Sequence, residues 1–312
     1  MVSGFSFLVS RYEDVMRYNN VVLLSLILLA VAKPTRTEES KPMMQVVLLG
    51  TGFPRPDPER AGPATAVVVG EKVFVVDAGR GVVLRLAAAE LPLKSVRAVF
   101  LTHLHSDHTA GLPDLLNTSW QFGRYTPFEL YGPKGTKKLA DAMLKFFEAD
   151  IHIRRDLMEK HPGAGATINT HVVREGVVYQ DADVKVTAFA VDHKPVEPAF
   201  GYRFDSGGRS VVISGDTRPS DNLVHYAQGA DVLVHEAIMP EYLDTVDKPE
   251  VASRLKSYHT TPEEAGQIAQ RAGVKLLVLT HLVPGKDEEK FRERAAKHFK
   301  GKIVVGRDLM RF

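Results

Sequence analysis

The chain has 312 residues, 44% of them apolar, enough to bury the core of one large domain or two small ones. Lys plus Arg is 40 and Asp plus Glu is 38; the resulting net charge of +2 carries no electrostatic signature of a nucleic-acid protein. There is no cysteine, so disulfides and thiolate ligands are excluded, and any metal must be held by His, Asp or Glu.

Val21–Ala32 (VVLLSLILLAVA) runs without a charge. It is shorter than the roughly 18 residues a membrane-spanning helix needs and fits the apolar core of a signal peptide. Ala30-Val31-Ala32 supplies a small-x-small cleavage pattern ahead of Lys33-Pro34. Residues 1–42 are read as a leader and linker, either signal peptide or anchor, with Met16 an alternative start. The expected location is periplasmic or secreted, with a cytoplasmic or membrane-anchored protein as the alternative.

From residue 43 the chain reads as one α/β domain. Short apolar runs predict strands at Gln45–Leu49, Thr65–Val69, Val73–Val76, Ala98–Leu101, Phe128–Tyr131, Val184–Ala190, Phe200–Phe204, Ser210–Ile213, Asp231–Val234, Leu276–Leu279 and Lys302–Val305. Helices are expected after Gly81, Thr109, Gly135, Thr261 and Asp287. The one after Thr261 has full start and stop signals: Thr261 as N-cap, Pro262 at N1, Glu264 closing a capping box, and Gly273 as terminator. Five apolar strands run out into a polar residue: Val76 into Asp77, Leu101 into His103, Ile213 into Asp216, Val234 into His235 and Leu279 into His281. In α/β folds sites collect where strands give way to loops.

Leu101–His108 reads LTHLHSDH. His103 and His105, two apart after a strand, can point the same way. Asp107 and His108 are adjacent and tend to diverge. Four donors so close do not easily converge on one tetrahedral ion; two ions are more natural, His103 with His105 and Asp107 with His108. Imidazole and carboxylate suit zinc, with iron or manganese as alternatives. His193, Asp216 and His281, each after a strand, are nominated to complete the site, with Asp216 as the bridging carboxylate. His152, His161, His171, His225 and His298 lie outside any motif and are taken as surface or structural. Trp120, Phe122 and Tyr125 form an aromatic cluster, with Trp120 and Phe122 read as core packing.

In order, LGTGFP (Leu49–Pro54), VVDAGRG (Val75–Gly81), LTHLHSDHTAGLPDLL (Leu101–Leu116), YGPKGT (Tyr131–Thr136), DHKPVEPAFGYRF (Asp192–Phe204), ISGDT (Ile213–Thr217), VHEA (Val234–Ala237) and HTTPEEAGQIAQRAGVKLLVLTH (His259–His281) resemble the metallo-β-lactamase superfamily, most closely its ribonuclease Z-like branch, over residues 44–312. The resemblance implies a four-layer αββα sandwich with the metals at one edge. It implies His103, His105, His193 and Asp216 on one metal, and Asp107, His108, Asp216 and His281 on the other. Asp77 would orient the first motif from behind. His235 resembles the catalytic histidine of a His-Glu-Ala-Thr motif, with Glu236 holding its tautomer and Ile238 in place of the Thr. His259 would contact an anionic group of the substrate or simply pack.

The expected enzyme is a dinuclear zinc hydrolase in which a metal-bridging hydroxide attacks an ester-like bond (a phosphodiester, sulfate ester or lactone) of a small-molecule or nucleotide-like substrate. The catalytic residues would be His235, Glu236 and Asp107. A ribonuclease Z-like tRNA 3′-end endonuclease is the alternative, and a β-lactamase-type amide hydrolase a further one. Nucleic acid is disfavoured on three grounds: near-neutral charge, the leader, and the 22 residues between His193 and Asp216, which leave no room for the protruding tRNA-grasping arm of usual ribonuclease Z proteins. A weakly held homo-oligomer is expected.

Overall fold

A computed structural model describes residues 43–312. The leader read into residues 1–42 lies outside the described residues, and so does everything it implied about export. Among the described residues no helix is long and apolar enough to cross a membrane.

Among the described residues thirteen strands form two sheets, each in simple chain order. The first holds β1 (Met44–Gly50), β2 (Ala64–Val69), β3 (Lys72–Val76), β4 (Val96–Phe100), β5 (Phe128–Gly132) and β6 (Ile168–Val172). The second holds β7 (Gly176–Gln180), β8 (Lys185–Val191), β9 (Ala199–Ser206), β10 (Arg209–Ile213), β11 (Val232–Ile238), β12 (Leu276–Val283) and β13 (Lys302–Val305). Each sheet starts antiparallel and ends parallel, changing over between β3 and β4 in the first and between β10 and β11 in the second.

Strand alternation builds three buried layers from these runs. Val46, Val67, Phe74 and Phe100 of the first sheet meet Val186, Tyr202, Phe204, Val234 and Val278 of the second between the sheets. The opposite-facing Val47, Leu49, Val75 and Val99 pack on helices Val82–Ala88, Leu112–Gln121 and Thr136–Phe146 through Leu86, Leu115 and Met143. On the far side Val212, Leu233, Leu277 and Leu279 cover Leu223, Ile268 and Phe291, from helices Asp221–Ala227, Pro262–Ala272 and Glu288–Ala296. The result is the αββα sandwich.

All eleven predicted strands and all five predicted helices are present. Pro262–Ala272 begins with the capping box of Thr261 and Glu264 and stops at Gly273 in the left-handed region. The strands not foreseen are β6 and β7, which sit at one edge of each sheet with no residue fully buried, so they lack a continuous apolar run. Helices Glu148–His152 and Pro249–Tyr258 also went unread, since neither buries a residue fully, and so did Asp221–Ala227, whose seven residues bury only Leu223, Val224 and Ala227. β9 and β10 join through Gly207 and Gly208, both at positive φ, in a tight hairpin with no inserted arm.

Candidate metal centre

The C-terminal ends of β3, β4, β8, β10, β11 and β12 lie along one edge of the sandwich, and the predicted residues gather there. His103 and His105 follow β4; His105 leads into the short helix Ser106–Thr109, which carries Asp107 and His108. His193 follows β8, Asp216 follows β10, and His281 sits in β12 at a bulge, where the β11 pairing skips it and its φ is +45°. Asp77, just past β3, has φ +58°. Two non-glycine residues in the left-handed region at one edge indicate backbone held in place by its surroundings.

The donor atoms fall into two sets. His103, His105, His193 and Asp216 each offer one atom within 4.8 Å of the others, and so do Asp107, His108 and His281. Oδ2 of Asp216 also lies 3.4 Å from Nε2 of both His108 and His281, and 3.9 Å from Nε2 of His103, so one carboxylate touches both sets. His105 is exposed and the other ligands are buried, which gives an opening on one side.

Hydrogen bonds to the far ring nitrogens fix which lone pairs face inward. Nδ1 of His108 donates to Asp77 Oδ2 at 2.7 Å, and Nδ1 of His193 donates to the Tyr258 carbonyl at 3.0 Å. Thr102 Oγ1 donates to Asp77 Oδ2 at 2.8 Å, so at 3.0 Å from His103 Nδ1 it accepts. Asp77 Oδ1 also accepts from the Thr102 amide. His103 Nε2 and His105 Nδ1 then converge at 2.9 Å. Nε2 of His108 and of His193 is buried without a hydrogen-bond partner. One buried, unpartnered imidazole nitrogen in each donor set, with a carboxylate beside both, is what a pair of divalent cations requires. Burial pushes His103, His105 and His193 below the ordinary imidazole range. Asp216, despite burial, is held well below the usual carboxylate range by His281 and His108. His103, His105 and His193 as neutral imidazoles beside an ionised Asp216 are in the protonation states in which such groups ligate, whereas Asp216 and Asp77 raise His108 well above the ordinary imidazole range against its burial, so a cation has to displace its proton. The residues fit the metal.

His235 does not join them. β11 continues to Ile238, and alternation puts His235 on the face shared by Leu233 and Ala237, against the helices. It is fully buried and donates from Nδ1 to the Glu236 carbonyl at 2.7 Å. The structure thus does not bring His235 together with the metal ligands. Glu236 points the other way. Its Oε1 accepts from His259 Nδ1 at 3.0 Å, from the Thr260 amide at 3.1 Å and from the Thr217 amide at 3.2 Å. His259 forms a third close group with Asp216 and His281, so it is this histidine that borders the metal edge. Burial opposes charge on His259, but the Glu236 carboxylate outweighs it and raises the pKa to about 9.

Phe122 is also corrected: it is 68% exposed, whereas Trp120 is buried and donates from Nε1 to the Pro162 carbonyl. Thr102 and the Tyr258 carbonyl were not foreseen. The Thr-His dipeptide was the available signal for Thr102; a backbone carbonyl leaves none.

The model described as the Beta-lactamase superfamily domain matches residues 72–282. Ribonuclease Z of Mycobacterium bovis is 42% identical over 279 aligned positions, which take in 86% of this chain and 98% of that protein. The chain belongs to the ribonuclease Z-like branch of the metallo-β-lactamase superfamily. Among solved structures in this superfamily, human tRNase Z, short form, superposes with a TM-score of 0.64 at 25% identity, covering 86% of this chain and 98% of the human one. The metallo-β-lactamase fold protein YhfI from Bacillus subtilis reaches a TM-score of 0.65 at 23% identity over the same shares, a likeness of fold. A metal-dependent hydrolase of this superfamily is thereby established. The comparisons favour the ribonuclease Z-like alternative over a small ester-like substrate, and relatives named as ribonucleases weigh against the low expectation for nucleic acid. The short His193–Asp216 interval does not separate the chain from them. Those 279 positions take up about 268 of the 312 residues here, so the M. bovis protein has room for only about 11 inserted positions relative to this chain.

Proposed function

We propose that the protein is a ribonuclease Z-like endonuclease that cuts precursor tRNA at its 3′ end with two divalent cations, zinc by preference. The likeness to a ribonuclease Z along nearly its whole length carries this reading. It is supported by a donor arrangement with two sets of ligands sharing one carboxylate.

We assign His103, His105, His193 and Asp216 to one cation and Asp107, His108, Asp216 and His281 to the other. Such a pair, when bound, supplies a nucleophile from water near neutral pH and stabilises charge building on the phosphoryl oxygens. The chain supplies the rest. Asp77 holds Nδ1 of His108 protonated, which keeps Nε2 turned inward, and through Thr102 it does the same for His103. His259, charged near neutral pH and held at Nδ1 by Glu236, presents Nε2–H as the proton donor to the departing ribose oxygen. Cation binding opposes that charge, so in the loaded enzyme His259 gives up its proton more readily. Asp107 is placed to ligate and to accept a proton from the incoming water.

The test is a substrate panel on zinc-loaded protein: a precursor tRNA, bis(p-nitrophenyl) phosphate, an aryl sulfate, a lactone and nitrocefin. The reading expects the precursor tRNA to show the highest kcat/KM by orders of magnitude. Preference for the sulfate, lactone or nitrocefin would replace it.

A further inference from the structure

Helix Pro249–Tyr258 buries none of its residues fully, yet it ends on the metal edge. The ring of its last residue, Tyr258, sits 5.1 Å from that of His193 at 86° and 4.9 Å from that of His259. Tyr258 therefore stands beside one ligand and beside the candidate proton donor, while staying partly exposed. Its link to His193 runs through the main-chain carbonyl, so the phenol ring is not needed to orient that ligand. Among the described residues the Tyr258 hydroxyl has no hydrogen-bond partner.

Arg254 lies one turn back on the same helix face. It is exposed, and its charge is felt at the Tyr258 phenol. Among the described residues its guanidinium makes no ion pair; its one side-chain neighbour in hydrogen bonding, Ser257, is engaged through the Arg254 carbonyl. A partly exposed aromatic ring one helical turn from an exposed guanidinium matches the two parts of a nucleotide, since any base presents a π-face and its phosphate a negative charge.

We propose that Tyr258 and Arg254 form a nucleotide subsite next to the scissile phosphate, Tyr258 stacking on a base and Arg254 meeting the neighbouring backbone phosphate. This rests on the endonuclease reading and assigns part of its substrate recognition.

The test compares a precursor tRNA with the same RNA carrying abasic residues on both sides of the cut. Stacking on one base predicts that Tyr258→Leu raises KM roughly 5- to 150-fold on the intact RNA, that Tyr258→Phe restores most of the loss, and that the abasic RNA hardly distinguishes the three proteins. Arg254→Gln should flatten the plot of log(kcat/KM) against log[salt] by about 0.7, the share of one single-strand phosphate contact, while Tyr258→Leu leaves that slope alone. Bound zinc should match wild type in both variants. Equal loss on both RNAs, or an unchanged KM and salt slope, overturns the subsite while the nuclease reading stands. A wild-type protein that cuts neither RNA overturns both.

Discussion

Oδ2 of Asp77 accepts a hydrogen bond from Nδ1 of His108 at 2.7 Å across 31 positions of sequence, and the same oxygen accepts from Thr102 Oγ1 at 2.8 Å. One buried carboxylate thus sets the tautomer of His108 directly and of His103 through Thr102. The two histidines belong to different donor sets, so the orientation of both depends on a residue that ligates neither.

Replacing that carboxylate should therefore weaken both sites at once. Asp77→Asn keeps the size of the side chain but presents an amide where a carboxylate accepted three hydrogen bonds. Zinc affinity is expected to fall about 10- to 100-fold, the usual scale for partners that orient ligands. Competition against a chromophoric chelator measures it, with circular dichroism to confirm the fold. Wild-type affinity in a folded variant would contradict the orienting role.

His235 and His259 should separate cleanly in kinetics. His259→Gln is expected to lower kcat about 10²- to 10⁴-fold with zinc content retained, the range for loss of a positioned proton donor. His235→Gln should lower Tm, because it disturbs a buried side chain among Leu233 and Ala237, and leave kcat/KM within a few-fold of wild type. The reverse pattern would restore the assignment that the sequence motif suggested.

The Glu236–His259 pair also predicts a pH dependence of stability for chelator-treated protein. The folded-state pKa of His259 is raised to about 9, above the ordinary value near 6.5. Its contribution, on the order of 3 kcal/mol, is fully present below about pH 6.5 and lost as the pH rises through about 9. His108, also raised by Asp216 and Asp77 against burial, adds a loss of the same sign. The difference between wild type and Glu236→Gln isolates the His259 part: wild type should lose more of its Tm between pH 6.5 and 9.5. Parallel curves would show that the pair contributes no stability.

Gly79 links loop packing to the second donor set. A Cβ there would meet the Gly62 carbonyl carbon at 2.4 Å and the Asp107 carbonyl oxygen at 2.5 Å, both main-chain atoms that cannot swing aside. Gly79→Ala should destabilise the fold by about 1–3 kcal/mol and displace the segment carrying Asp107 and His108. Denaturant melts and zinc stoichiometry check the two halves of that expectation. A stable variant binding a full complement of zinc would show that the loops give way more easily than the contacts imply.

The ligands were readable in the sequence because they stand at or near the ends of strands with strong apolar runs: His103, His193 and Asp216 just past β4, β8 and β10, and His281 at the bulge near the end of β12. Strand parity is what separates His235 from the ligands. Ending β11 at Val234 puts His235 at the mouth of the site; four further residues of strand, to Ile238, turn it toward the helices and bring Glu236 to the edge instead. The pairing of Glu236 with His259 spans 23 positions and depends on where the chain enters helix Pro262–Ala272, which no local pattern encodes. β6 and β7 escaped because edge strands need no continuous apolar run. Net charge says little about substrate because it sums over the whole surface, whereas nucleic-acid contact is local.

Zinc titration of chelator-stripped protein, read as 3′-end cleavage of a precursor tRNA, tests the central claim most directly. Two ligand sets sharing Asp216 predict little cleavage through the first equivalent, a rise across the second and a plateau at two zinc ions per chain, with a single cut at the 3′ end of the tRNA body. A plateau at one equivalent, or no cleavage at any zinc concentration, would contradict it.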